Sequence, residues 1–279
     1  MYFKSMARKN YFEKLILVPE GDVRLAEAAL RIAADEYPRL RVKSYLKILD
    51  EWSETLRRKF RGLSPAMQID RLNEWLFETM RFSGNEEDYY DPKNSFLNDV
   101  IDRRMGIPIS LSVIYLEMAW ALGLEAAGIS FPGHFLVRVI AEGKPLYVDT
   151  FHKGKIMTTD GCMQFLRELT EGELEFQDSF LLTVSKRDIL ARMLRNLKRI
   201  YLEACNYPKL IRVLDRLVAL NPEVYDEVRD RGIIHYQMKA FQLAQQDFET
   251  FLSMTPDSED AEVIHQYLEI LREYRSHVN

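Results

Sequence analysis

The chain has 279 residues, of which 47% are hydrophobic and 29% charged, the balance of a soluble globular protein long enough to bury a core without staples. Its formal charge is −5, with 38 basic residues dispersed among 43 acidic ones, so no basic stripe supports nucleic-acid binding. Two cysteines, Cys162 and Cys205, are too few for a disulfide framework or a structural zinc site, and they point to a reducing, cytoplasmic setting.

Residues 1–9 lead into an apolar patch broken by Glu13 and Lys14, which reads as neither a signal peptide nor a membrane span. From residue 22 to about 80 the pattern is helical. Asp22 is the expected cap of a first helix carrying Leu25, Ala28, Ala29 and Ile32, with Pro38 after its end. Val42, Tyr45, Leu49, Trp52, Leu56 and Phe60 give a second amphipathic helix. Ser64 before Pro65 opens a third, continued by Leu72, Trp75, Leu76 and Met80.

Residues 81–95 lack periodicity and are rich in turn formers and acids, which predicts an ordered loop. Its acids Glu86, Glu87, Asp88 and Asp91 lack any metal-loop spacing and read as solvated or arginine-paired. Asn94 or Ser95 is the expected cap of a short helix through Arg104. The paired Arg103 and Arg104 read as a solvated helix face. Gly106-Ile107-Pro108 breaks that helix and opens another, from about residue 109 to 122, apolar nearly all round and stopped by Gly123.

The period then changes. A short strand is expected over residues 127–130, followed by strands over 134–140 and 146–149. If Glu142-Gly143 is a two-residue turn, Asp149 lies opposite Leu136 and on the same face as His134; one more loop residue would separate them. Helices followed by a small antiparallel sheet make an α+β core.

Beyond residue 180 the chain is helical. Ser185 and Asp188 form an expected capping box. Tyr207, Leu210, Leu214, Val218, Leu220 and Pro222 then recur as Phe241, Ala244, Phe248, Leu252, Met254 and Pro256, each 34 residues on. That is the period of tetratricopeptide helix pairs. A terminal helix after Asp257-Ser258, holding Val263, Tyr267, Ile270 and Leu271, is the expected cap of the stack. The division expected is 1–180 for the helical segment plus core and 181–279 for the repeats. No glycine-rich phosphate loop occurs.

Four stretches carry a resemblance: residues 81–85, residues 90–96, residues 102–112 around Gly106-Ile107-Pro108, and residues 131–138 around Gly133-His134. Together they resemble the transglutaminase-like superfamily, and within it the bacterial SirB-type subgroup, in which tetratricopeptide repeats follow the core. The resemblance implies a Cys-His-Asp triad with the cysteine at the start of the central helix. There a thiolate gains from the helix field, a histidine takes its proton and an acid fixes the imidazole. His134 and Asp149 match the last two members. The cysteine's position falls on Pro108, which offers no nucleophile.

Three residues stand as substitutes. Ser110 and Ser112 lie further along the helix, either as nucleophiles or as hydroxyls bonded to backbone. Cys162 sits at another helix start, either as a lowered-pKa thiol or as a buried inert one. Asn85 and Arg138, within the matching stretches, are candidate binding residues. The reading is a non-catalytic transglutaminase-like protein that binds a protein or peptide in its repeat groove. It expects no cofactor, metal, nucleic acid or membrane. The alternative is a hydrolase or acyl transferase using Ser110 or Cys162 with His134 and Asp149.

Overall fold

The computed structural model describes residues 11–278, with side chains through Tyr274. Residues 1–10 of the N-terminal stretch lie outside the described residues. The described residues divide into two compact units: residues 20–193, and residues 11–19 with 194–278. The division falls inside a helix, residues 186–203. Among the described residues no helix is long and apolar enough to cross a membrane.

A five-residue helix, α1 (Tyr11–Leu15), precedes the first long helix, α2 (Leu25–Glu36). Asp22 does not cap α2. It ends a 3-10 turn, Glu20–Asp22, and the N-cap position is Arg24, which provides no side-chain bond. A carboxylate from elsewhere does that work: Ala26 N–H donates to Glu117 Oε1 at 2.8 Å. α3 (Val42–Lys59) and α4 (Pro65–Asn73) follow, the latter capped by Ser64 as its Ser-Pro start predicts. α4 runs on into a π-helical turn, Glu74–Thr79.

Within the loop after it, a two-residue strand, β1 (Ser83–Gly84), pairs in parallel with β2 (Met105–Gly106). Between them stands α5 (Leu97–Arg103). Phe96 is its N-cap residue, in place of the expected Asn94 or Ser95. Asn94 is occupied inside the loop, where its amide donates to the carbonyls of Asp88 (2.7 Å) and Tyr89 (3.2 Å). Arg104 is not on a solvated face. It turns left-handed (φ 60°) at the end of α5, and its guanidinium lies over Trp52 and Phe82, 4.7 and 4.9 Å from the ring centroids.

The central helix α6 (Pro108–Ala121) buries almost every residue as far as Ala119, as its all-round apolar pattern requires. Gly123, at φ 79°, stops it. The sheet that follows is antiparallel: β3 (Ala126–Ile129), β4 (Leu136–Ala141), β5 (Lys144–Asp149), β6 (Lys155–Met157) and β7 (Thr183–Val184), in the order β6-β5-β4-β3-β7. Glu142 and Gly143, at φ 52° and 76°, make the two-residue turn. The register Val137↔Val148 then sets Asp149 across from Leu136. The two short strands β6 and β7 carry too few residues to show an alternating pattern. α7 (Thr159–Leu169) covers one face, where Cys162 and Leu166 join Ile129, Phe131, Leu136, Tyr147 and Met157 in a buried cluster. The core unit is α+β.

α8 (Lys186–Glu203) opens on the predicted capping box. Asp188 N–H donates to Ser185 Oγ (3.1 Å), and Ser185 N–H donates to Asp188 Oδ2 (3.0 Å). Then come α9 (Tyr207–Leu220), α10 (Tyr225–Gln237), α11 (Phe241–Met254) and α12 (Ala261–Val278). α9 and α11 start and end at the 34-residue offset, and Leu210, Leu214 and Leu217 are buried where Ala244, Phe248 and Phe251 are. The last helix is phased differently from the expectation. Ala261, Ile264, Leu268 and Leu271 are buried, whereas Val263 and Ile270 are about half exposed. Cys205 is exposed, in a left-handed turn (φ 50°) between α8 and α9.

Candidate functional site

His134 stands two residues before β4, not within it. It lies in a turn closed by its own N–H donating to the Phe131 carbonyl (3.1 Å), with Gly133 at φ 67°. Arg192 on α8 fixes that turn, donating from Nη2 to the His134 carbonyl at 2.7 Å and from Nη1 to Ser130 Oγ at 2.5 Å. The imidazole is thereby aimed at the end of β5, where His134 Nε2 meets Asp149 Oδ1 at 2.9 Å. Both side chains are buried, Asp149 completely.

Asp149 does more than hold one histidine. Its Oδ1 also accepts from the backbone N–H of Phe151 (3.0 Å) and His152 (3.2 Å), and its Oδ2 meets His152 Nδ1 at 2.6 Å. Burial opposes its ionisation. The bonds and charges of His134 and His152 outweigh that and hold the carboxyl below the ordinary carboxylate range. Phe151 presses on β1: a Cβ on Gly84 would come within 2.5 Å of its ring. Phe165 from α7 stands edge-on to both histidines, 5.2 and 6.2 Å between centroids.

Pro108 is the first residue of α6, with Ile107 as N-cap. Thr150, next after Asp149, donates to the Pro108 carbonyl (3.2 Å) and shares a 2.9 Å hydrogen bond with Ser112 Oγ. The start of the central helix is thus tied to the strand end that carries Asp149.

The other candidates are not hydrogen-bonded to His134. Ser110 Oγ donates to the Asn94 carbonyl at 2.6 Å and accepts from Ile107 N–H at 3.1 Å, which makes it a helix cap. Ser110 and Ser112 are fully buried. Cys162 is also fully buried, and burial, with the Asp149 charge nearby, pushes its thiol up to about 12. The direction is opposite to that of an activated nucleophile. Asn85 organises its own loop, donating to Asn94 Oδ1 (3.1 Å) and accepting from Asp88 N–H (3.1 Å). Arg138 sits half-buried in mid-β4, opposite Tyr147 and Ala127. Asp91 of the acidic loop is paired with Arg103 (3.0 Å).

Two residues of the site escape a reading of strands alone. His152 was visible as Asp-x-x-His, the spacing by which a turn brings a side chain back to a carboxylate. Arg192 lies 58 residues from His134, and nothing local announces it.

A family model described as transglutaminase-like superfamily matches residues 43–195, and a tetratricopeptide-repeat model matches residues 197–269. The chain is 33% identical over 261 residues to a UPF0162 protein of Xylella fastidiosa, covering 92% of this chain and 93% of that one. A UPF0162 protein of Vibrio cholerae is 31% identical over 189 residues, 67% of this chain and 70% of its own. Mouse F-box only protein 21 is 36% identical over 137 residues, 46% of this chain but only 21% of that protein. No solved structure matches significantly. With core, repeats and near full-length similarity together, the chain belongs to the transglutaminase-like superfamily, in its bacterial UPF0162 (SirB-type) family.

Proposed function

We propose that this protein acts by binding a protein or peptide partner through its tetratricopeptide helices, and that its transglutaminase-like core does no covalent chemistry. The observation that carries the second half is Pro108 at the first turn of α6, together with a His134–Asp149 pair to whose histidine no thiol or hydroxyl is hydrogen-bonded among the described residues. A helix N-terminus supplies a field for a thiolate but cannot supply the sulfur. For the first half, tetratricopeptide repeats are a protein-interaction architecture. Between α8, α9 and α10 an apolar cleft of about 180 Å³ is lined by Leu202, Leu210, Leu214, Ile233 and Ile234, with Lys198 and Asp230 at its polar side. Leucine and isoleucine walls with one ion pair suit an amphipathic helix or an extended peptide presenting apolar anchors. We place the protein in the cytoplasm, in a regulatory or accessory role.

The test compares wild type, Pro108→Cys and His134→Ala in amide and ester turnover and in labelling by thiol- and serine-directed probes. The reading expects no turnover and no site-specific label in wild type. It also expects a reactive thiol in Pro108→Cys whose reactivity falls when His134 is removed. Turnover by the unmodified protein that disappears in His134→Ala would establish the hydrolase alternative instead.

A further inference from the structure

We propose that His134, Asp149 and His152 form a binding site for a divalent transition-metal ion of the zinc class. This goes beyond the partner-binding reading and stands or falls separately from it. The three side chains each present one ligand atom, and these atoms all lie within 4.8 Å of one another. Two imidazole nitrogens and one carboxylate oxygen are the donor set of open, three-ligand zinc sites and of related iron and manganese sites.

The parts differ in freedom in a way that suits capture of an ion. Asp149 is fully buried and His134 is 6% exposed, so these two ligands are fixed by packing. Arg192 holds the His134 backbone from behind. His152 has a side chain 46% exposed and can rotate onto the ion. Bonds of about 2.0–2.2 Å place tetrahedral ligands roughly 3.4 Å apart. His134 Nε2 stands 2.9 Å from Oδ1 and His152 Nδ1 2.6 Å from Oδ2, closer than two ligands of one ion, so binding replaces these hydrogen bonds and spreads the ligand atoms, the exposed His152 ring moving most. The two imidazoles lie nearly parallel, 5.7 Å between centroids and 20° between planes, each meeting one oxygen of the carboxylate.

The carboxylate is oriented for the task. Its Oδ1 is held by the N–H groups of Phe151 and His152, the kind of outer support that ligating carboxylates need. On binding, each imidazole presents a ring-nitrogen lone pair to the ion and carries its N–H on the other ring nitrogen. Phe151 and Phe165 flank the histidines with apolar surface, while the exposed side of His152 opens the group to solvent. With no sulfur in the set, the site suits Zn²⁺, Co²⁺ or Ni²⁺ over Cu⁺.

The experiment uses the full chain, without a histidine tag and stripped with chelator, titrated with Zn²⁺ by calorimetry and with Co²⁺ by visible absorption. The expected result is one equivalent of ion, with a Co²⁺ ligand-field band. His152→Gln should weaken binding by about 100-fold or more, since even outer-shell losses cost 10- to 100-fold. Glutamine can still donate to Asp149, so this variant keeps the hydrogen bond and removes the ligand; circular dichroism checks its fold. His265→Ala, at an exposed histidine of α12, should change nothing. No saturable binding, or unchanged affinity in His152→Gln, overturns the proposal, as does loss of binding in His265→Ala.

Discussion

Gly232 on α10 and Phe248 on α11 occupy one place, and that makes the repeat packing measurable. A Cβ added at Gly232 would lie 2.8 Å from both Cδ1 and Cε1 of the Phe248 ring. Phe248 is fully buried and stacks on Tyr267, with centroids 5.3 Å apart at 27°. Removing the ring in Phe248→Ala forfeits roughly 3 kcal/mol of apolar burial at about 25 cal/mol per Å². The lost stack and the residual cavity bring the cost to about 3–5 kcal/mol. Gly232→Ala alone gains about 1 kcal/mol of helix propensity but loses about 1–3 kcal/mol to overpacking, so it is neutral or harmful. In the Phe248→Ala background the ring is gone, and the next atom, Asp247 Cβ at 3.1 Å, gives by a few tenths of an ångström. There the same substitution should stabilise by about 1 kcal/mol. A double-mutant cycle by urea unfolding, followed by far-ultraviolet circular dichroism, should therefore show a favourable coupling of about 1–3 kcal/mol. Additivity within about 0.5 kcal/mol would refute the packing assigned to this helix pair.

Asp247 accepts from Arg231 Nη2 (2.6 Å) and Nε (3.1 Å) and pairs with His235 Nδ1 (2.9 Å). Burial opposes its charge, but these partners outweigh it and lower its pKa. Asp247→Asn should cost about 3 kcal/mol at neutral pH. Because the folded pKa is the lower one, that deficit is present above about pH 4 and shrinks as pH falls through the folded value. Urea midpoints for both proteins across that range measure it; a deficit independent of pH would exclude the ion pair as its cause. Iodoacetamide should label the exposed Cys205 in the native protein and reach Cys162 only in denaturant, as peptide mapping will read. Native labelling at Cys162 would reopen the thiol alternative.

The sequence was most legible where one physical rule acts alone. The all-round apolar run of α6, the Ser185–Asp188 box, the 34-residue recurrence and the Glu142-Gly143 turn each rest on a local period or a local turn chemistry, and each appears as expected. Three misses share a cause: another partner took over a local role. Glu117 supplies the cap bond expected from Asp22, the loop claims Asn94, and aromatic faces claim Arg104. In α12 one rotation of about 100° per residue separates Val263 from Ile264, so a small phase error put Val263 and Ile270 on the packed face, where Leu271 and Tyr267 do lie. His152 was missed because its partnership with Asp149 is made by a turn rather than by strand register.

That turn also explains why a His–Asp pair at this place does not by itself argue for turnover. Asp149 is a completely buried carboxylate whose charge is met by two ring nitrogens and two backbone N–H groups. Deleting one partner of such a group leaves a desolvated charge and costs about 3–5 kcal/mol, against a total stability of only about 5–15 kcal/mol for a typical domain. The carboxylate in turn fixes the backbone that follows β5, including Phe151 packed on β1 and Thr150 tied to the start of α6. A chain with proline at position 108 therefore has a structural reason to keep His134 and Asp149 whether or not it transfers an acyl group. What distinguishes the two cases is a nucleophile within reach of His134, and none of the three candidates is hydrogen-bonded to it. Ser110 caps its helix, Ser112 is bonded to Thr150, and Cys162 is sealed in the apolar cluster under α7.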